Sequence, residues 1–175
     1  MVEDFLLIQL DLSIDKRHFA RNLVLNNNYS CDKLIGLIKQ TSGKQQHRLL
    51  CFCDTLIRTH LSYFQDHFQF FIDFSTDEKH ETNKRSLTNM YMVMLKNAND
   101  ILSVKQKEQL TTICFTWLLD DSLVATKSNC ISCLDLLSKE NQWIADELHA
   151  IIEQTYPDMP VSFQSRAKKI MERKG

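Results

Sequence analysis

The sequence predicts an all-α fold, a right-handed α–α superhelix of about four stacked antiparallel helical hairpins, in a single helical-repeat domain over residues 1–175. Three observations carry that prediction. Glycine and proline are too scarce for the turns of a β protein, with 3 Gly and 2 Pro in 175 residues. Apolar residues recur at three-four spacing in one segment after another, which is the period of a helix with one buried face. A basic residue opens successive apolar segments at Arg48, Arg85, Lys127 and Arg166. The intervals are 37, 42 and 39 residues, the range expected of helix-pair solenoid repeats.

Each element has a local reason. Ser13 or Asp15 caps a first helix bearing Phe19, Ala20, Leu23 and Val24, which ends at Asn26-Asn27-Asn28. Ser30 caps the next, where Cys31, Leu34, Ile35 and Ile38 form one stripe before Ser42-Gly43. A long third segment runs through Leu49, Leu50, Cys53, Leu56, Ile57, His60, Leu61 and Phe64. Its stripe continues through Phe68, Phe71 and Ile72, straight on or after a break near Ser62. Asp73 to Glu81 is polar and acidic and reads as a linker. Asp77 or Thr82 starts a helix with Leu87, Met90, Tyr91 and Met94 inward, and Ser103 caps one with Leu110, Ile113, Cys114, Trp117 and Leu118 inward. Asp120-Asp121-Ser122 makes a tight turn and caps the following helix to about Ser138. Asn141 opens a helix with Ile144, Leu148, Ile151 and Ile152, stopped by Tyr156-Pro157 and Pro160. Ser162 or Ser165 begins a last, basic helix. Short connections make such neighbours antiparallel, and each hairpin carries more apolar face than it can bury alone.

Composition narrows the function classes. A hydrophobic content of 43% supports a continuous core. Net charge is -1 and the pI is near 6.6, whereas a dedicated nucleic-acid binder is usually strongly basic. No apolar run reaches the roughly 18–20 residues of a membrane span, so no membrane association is expected. The Phe5-Leu6-Leu7-Ile8 run follows Glu3 and Asp4 without a basic region, which is unlike a signal peptide. The six cysteines lie in apolar helical patterns and fit reduced, buried thiols of a cytoplasmic protein.

The segment Asp121 to Leu134 resembles a HEAT repeat. The resemblance implies that Asp121 holds the turn position and Lys127 the basic position that tie adjacent repeats together. It places Cys130 and Cys133 at the small positions and Leu134 in the core. The second half of the chain, through Arg85, Trp117, Lys127, Trp143-Ile144, Glu147-Leu148 and Arg166 to Ile170, is similar to small bacterial single-domain proteins of HEAT/ARM-like fold. Some of those carry an adenylosuccinate lyase name. The lyase loop Gly-Ser-Ser-x-Met-Pro-x-Lys-x-Asn is absent here.

Candidate chemistry is sparse. Cys130-x-x-Cys133 puts two sulfurs on one helix face, but no second ligand pair follows, so small packing residues are expected rather than a metal or redox site. Cys51 and Cys53 point to different faces. His18, His47, His60, His67, His80 and His149 form no chelating motif, and His60 on the apolar stripe reads as a hydrogen-bonded core histidine. No Gly-x-Ser-x-Gly elbow, Walker loop or His-Glu-x-x-His occurs, so neither catalysis nor a cofactor is expected. Trp117, Asp120 and Arg85 would be the reactive set if the chain were a HEAT-like DNA glycosylase. The basic tail Arg166, Lys168, Lys169, Arg173 and Lys174 complements a helix C-terminus. Phe70 and Phe74 fall off the inward stripe of the cluster Phe64, Phe68 and Phe71, and cover a neighbouring helix or form an interaction patch. The expected function is a non-enzymatic scaffold that offers a curved helical surface to a protein or peptide. The alternative is a HEAT-like nucleic-acid-binding protein related to base-repair glycosylases.

Overall fold

The computed structural model describes residues 1–172, and among these every regular element is helical. The short α1 (Val2–Asp4) leads into a π-helical turn at Phe5–Gln9. Then come α2 (Ile14–Asn26), α3 (Cys31–Gln40), α4 (Gly43–Ile57) and α5 (Phe68–Phe74). The remaining helices are α6 (Glu81–Asn97), α7 (Val104–Leu119), α8 (Val124–Leu137), α9 (Gln142–Thr155) and α10 (Val161–Met171). The chain divides into two compact units, Met1–Phe71 and a second from Ile72 onward, with the division inside α5.

In the first unit α4 packs against α2 and α3. The predicted stripe of α3 is buried at Cys31, Leu34, Ile35 and Ile38, and that of α4 at Leu49, Leu50, Cys53, Leu56 and Ile57. Asn28 closes α2 with φ at +50°, a left-handed conformation that asparagine tolerates better than most residues. Gly43 opens α4 at φ +56°, where a side chain would be strained. Two expectations fail here. Phe19 is 54% exposed, its ring lying 4.9 Å from that of Phe5. Of the two courses open to the third segment the structure takes the broken one, a little earlier than Ser62: α4 stops at Ile57 and a tight 3₁₀ turn spans Leu61–His67 before α5. His60 therefore leaves the buried stripe, half-buried beside Thr59 Oγ1 at 2.9 Å. Phe64, Phe68 and Phe71 are buried, and Phe70 is half-buried under the Lys39 ammonium at 5.4 Å.

In the second unit α8 is the hub, packing against α6, α7, α9 and α10. That demand explains why α8 is buried nearly all round, from Thr126 and Ser128 to Cys130, Ile131, Cys133, Leu134 and Leu137. Small side chains at Ser128, Cys130 and Cys133 let neighbouring backbones come close. Ser103 caps α7 as predicted, in a reciprocal box with Gln106 at 3.2 and 2.9 Å. The predicted inward faces of α6, α7 and α9 are buried, apart from a half-buried Ile113.

Three helix starts differ from expectation. α6 begins at Glu81 because Glu78 Oε1 accepts from the His80 amide at 2.7 Å and the His80 carbonyl receives the Asn83 and Lys84 amides. α10 begins at Val161, directly after Pro160, whose carbonyl accepts from Phe163 and Gln164 at 2.9 and 3.0 Å. A proline there loses no bond, since the first amides of a helix have no internal partner. At α8 the preceding acids do not supply the cap: Asp120 Oδ1 accepts from Ser122 N within the turn, and the Leu123 amide donates to Glu81 Oε2 at 2.8 Å. Arg173 and Lys174 of the predicted basic tail lie outside the described residues.

Candidate partner-binding face of α6, α8 and α10

A polar ladder crosses three helices of the second unit. Asn129 of α8 is 7% exposed, and its Nδ2 donates to Asn89 Oδ1 at 2.9 Å and Thr88 Oγ1 at 3.2 Å, both on α6. Arg166 of α10 donates through Nη1 to Asn129 Oδ1 at 3.0 Å and to the Ser128 carbonyl at 2.7 Å. The Cys133 thiol lies 3.7 Å from the Thr88 carbonyl, a measure of how closely α6 and α8 approach. Only at such separation can a side chain as short as asparagine bridge two helices. The ladder thus satisfies buried polar groups and fixes the register of three helices at once.

Beside the ladder lies a groove of about 370 Å³, formed by side chains of α6, α8, α10 and the turn after α8. Leu136 and Ile170 give it apolar surface, while Lys96, Lys139, Arg166 and Lys169 supply four cations against the single acid Asp135. Lys96, Lys139 and Lys169 are exposed, whereas Arg166 is half-buried and held by the ladder.

At the N-terminal end of α6 a second polar cluster holds the α7–α8 turn. Lys84, 8% exposed in its side chain, donates to Asp120 Oδ2 at 2.9 Å and Ser122 Oγ at 2.8 Å, and pairs with Glu81 Oε1 at 3.3 Å. Its ammonium also lies 5.6 Å from the centroid of the Trp117 ring. Burial pulls the Lys84 pKa down, but the hydrogen bonds and charges of Asp120 and then Glu81 outweigh it and hold it above the usual lysine value. Burial likewise pushes Asp120 up, and the bonds from Ser122 and Lys84 outweigh that and leave its carboxyl below the usual range.

This cluster accounts for Trp117 and Asp120. The indole is 4% exposed and the carboxylate is engaged by Lys84 and Ser122, while Arg85 is exposed on α6. Asp121 lies exposed in the turn and Lys127 half-buried in α8; the ion pair between α6 and this turn comes from the adjacent Asp120. Cys130 and Cys133 are fully buried at the centre of α8. Cys114 is pulled down by a hydrogen bond with Cys130, yet the bond with Cys133 and burial leave its thiol well above the ordinary range. Cys130 is raised too, by its bond with Cys114 and by burial. Among the described residues no group of three His, Cys, Asp or Glu side chains is placed to hold a metal ion.

The histidines do not converge. His67 Nε2 lies 2.9 Å from Asp32 Oδ1 in the first unit, and His149 is buried in α9 of the second. Among the described residues no helix is long and apolar enough to cross a membrane.

Asn89, Asn129 and Lys84 are the residues that sequence reasoning missed. Asn89 and Asn129 are separated by 40 residues, inside the interval already visible in the basic positions. An asparagine in mid-helix reads as a solvated residue until its neighbour is known, and Lys84 was masked by the adjacent Arg85. No protein-family model matches this chain, and no curated protein matches it in sequence.

Proposed function

We propose that the chain is a non-enzymatic helical scaffold that binds a segment of a protein partner along the face of α6, α8 and α10. One observation carries the reading: the Asn89–Asn129–Arg166 ladder holds three successive alternate helices in fixed register directly beside an open groove. The helix backbones and Arg166 are thereby ordered in advance, which lowers the cost of capturing an extended segment. The alternation of α6, α8 and α10, with α7 and α9 also packed on α8, supports a HEAT/ARM-like stacking of hairpins in this unit. In that arrangement the inter-repeat tie that the resemblance assigns to Asp121 and Lys127 is made instead by Asp120 and Lys84. The four groove cations give the nucleic-acid reading its one specific support, set against the chain's overall charge of -1.

The test is selection of a random-peptide library displayed on phage against the purified protein. Each recovered sequence is then challenged with Ser132→Trp, which fills the groove, and with Leu136→Glu, which alters its apolar surface. Both variants are first checked for helical content and cooperative melting. Sequences bound by the native chain and lost with both variants are the expected result. A library yielding only sequences indifferent to both substitutions would falsify the proposal.

A further inference from the structure

We propose that the segment taken by this groove is acidic, with an apolar side chain set among aspartates or glutamates. The inference rests on the scaffold reading above and adds the chemistry of the partner.

The last two helices of the second unit differ in charge. α9 carries Asp146, Glu147 and Glu153 with no lysine or arginine, whereas α10 carries Arg166, Lys168 and Lys169 with one acid, Glu172, at its end. Within the groove the balance is four cations to one acid in a chain whose charges nearly cancel. Helix termini account for much of it, since Lys96 lies in the last turn of α6, Lys169 in the last turn of α10 and Lys139 just beyond α8, where cations complement the helix dipole. They do not account for Arg166, five residues into α10, which brings its guanidinium to the groove while anchored on Ser128 and Asn129. Part of an anchored guanidinium remains to receive a carboxylate without further ordering of the chain.

The apolar surface decides what lies between the carboxylates. Leu136 is half-buried beside the nearly covered Ile170, and a cavity of about 370 Å³ has room for an apolar side chain and part of its backbone. The cations come from α6, α10 and the turn after α8, so they suit carboxylates spaced along an extended strand of peptide better than one compact dianion. Nucleic acid would use the same cations but leave the apolar surface without a partner.

The composition of the groove-dependent phage sequences tests this directly. Asp and Glu should be enriched around a Leu, Ile, Val or Phe. The commonest such sequence is then synthesised with a fluorescein label, beside a copy in which every carboxylate is an amide. Fluorescence anisotropy should show the acidic form binding at least about tenfold more tightly, with the preference falling as salt rises. The exposed-site double variant Lys139→Glu, Lys169→Glu should abolish that preference. If groove-dependent sequences appear but are not acidic, or if the amide copy binds equally well, the charge inference fails and the scaffold reading stands. If no groove-dependent sequence appears, both fall. If a DNA duplex displaces the peptide and its binding is lost in the double variant, the acidic-peptide assignment is overturned in favour of nucleic acid.

Discussion

Lys84 shows how one residue joins elements remote in sequence. Its ammonium is nearly enclosed, and three oxygens from Glu81, Asp120 and Ser122 replace the water it gives up. Removing it by Lys84→Ala leaves two carboxylates close together beside Trp117. Because both acids stay partly open to water, the expected cost lies near the lower end for a broken buried pair, about 3 kcal/mol by urea unfolding at neutral pH. The pH dependence of that cost follows from the two shifts. Asp120 has a depressed folded pKa, so its contribution is present above its ordinary value of 3.8 and is lost as pH falls through the lower folded value. Lys84 has a raised folded pKa, so its contribution is full below 10.5 and is lost as pH rises through the higher folded value. The stability difference between the native chain and Lys84→Ala should therefore be widest between these limits and narrow outside them. A difference that stays constant down to strongly acid pH would show that Asp120 is not the partner that matters.

At the scale of an element, α8 is closed by a residue that is not its own. Its N-cap position, Leu123, has no side chain able to accept a hydrogen bond, and among the described residues the Leu123 amide is satisfied by Glu81 from the first turn of α6. Glu81 Oε2 also accepts from Thr126 Oγ1 at 3.3 Å, and Oε1 meets Lys84. A single carboxylate thus holds the start of one helix against the start of another. Glu81→Gln keeps the shape and one acceptor but removes the charge, whereas Glu81→Ala removes both. The alanine variant should lower stability by about 1–2 kcal/mol, the range of a lost cap, with the glutamine variant between it and the native chain. Equal melting temperatures for alanine and native forms would show that the bridge contributes nothing. α7 is the contrast, since Ser103 and Gln106 cap it from within its own sequence.

For the molecule as a whole, the polar segment between α5 and α6 is the notable discontinuity. Ser75 is tied down, buried and hydrogen-bonded to the Tyr91 hydroxyl, but Asp77, Lys79 and His80 are exposed and Lys79 lies outside any helix. Trypsin under native conditions should cut first on the C-terminal side of Lys79, because cleavage needs an extended, accessible backbone that helices withhold. Mass spectrometry of early digests reads this directly, and a first cut within α4 or α8 would contradict the helical packing described for either unit. The same scale bears on function. The four groove cations are scattered over 74 residues of sequence, from Lys96 to Lys169, and form one site only after α6, α8 and α10 are placed side by side.

Which segments become helices was legible from one dimension. The stripes of α3, α4, α6 and α9 depend on spacings of three and four residues, which the backbone of a helix converts into a common face whatever surrounds it, and the cap at Ser103 on its place just before such a stripe. Helix starts at Glu81 and Val161 were less legible, because backbone bonds to His80 and Pro160 prevailed over nearby serines and acids. The partners of Asn129, Lys84 and Glu81 could not be read that way at all. Apart from the local Glu81–Lys84 pair, each lies 36 or more residues distant, and a polar side chain in mid-helix looks the same on the page whether it faces water or a neighbouring helix. Distance along the chain carries no information about such pairs until packing has set the separation and rotation of the helices, and with them the face of α6, α8 and α10 where cations and groove coincide.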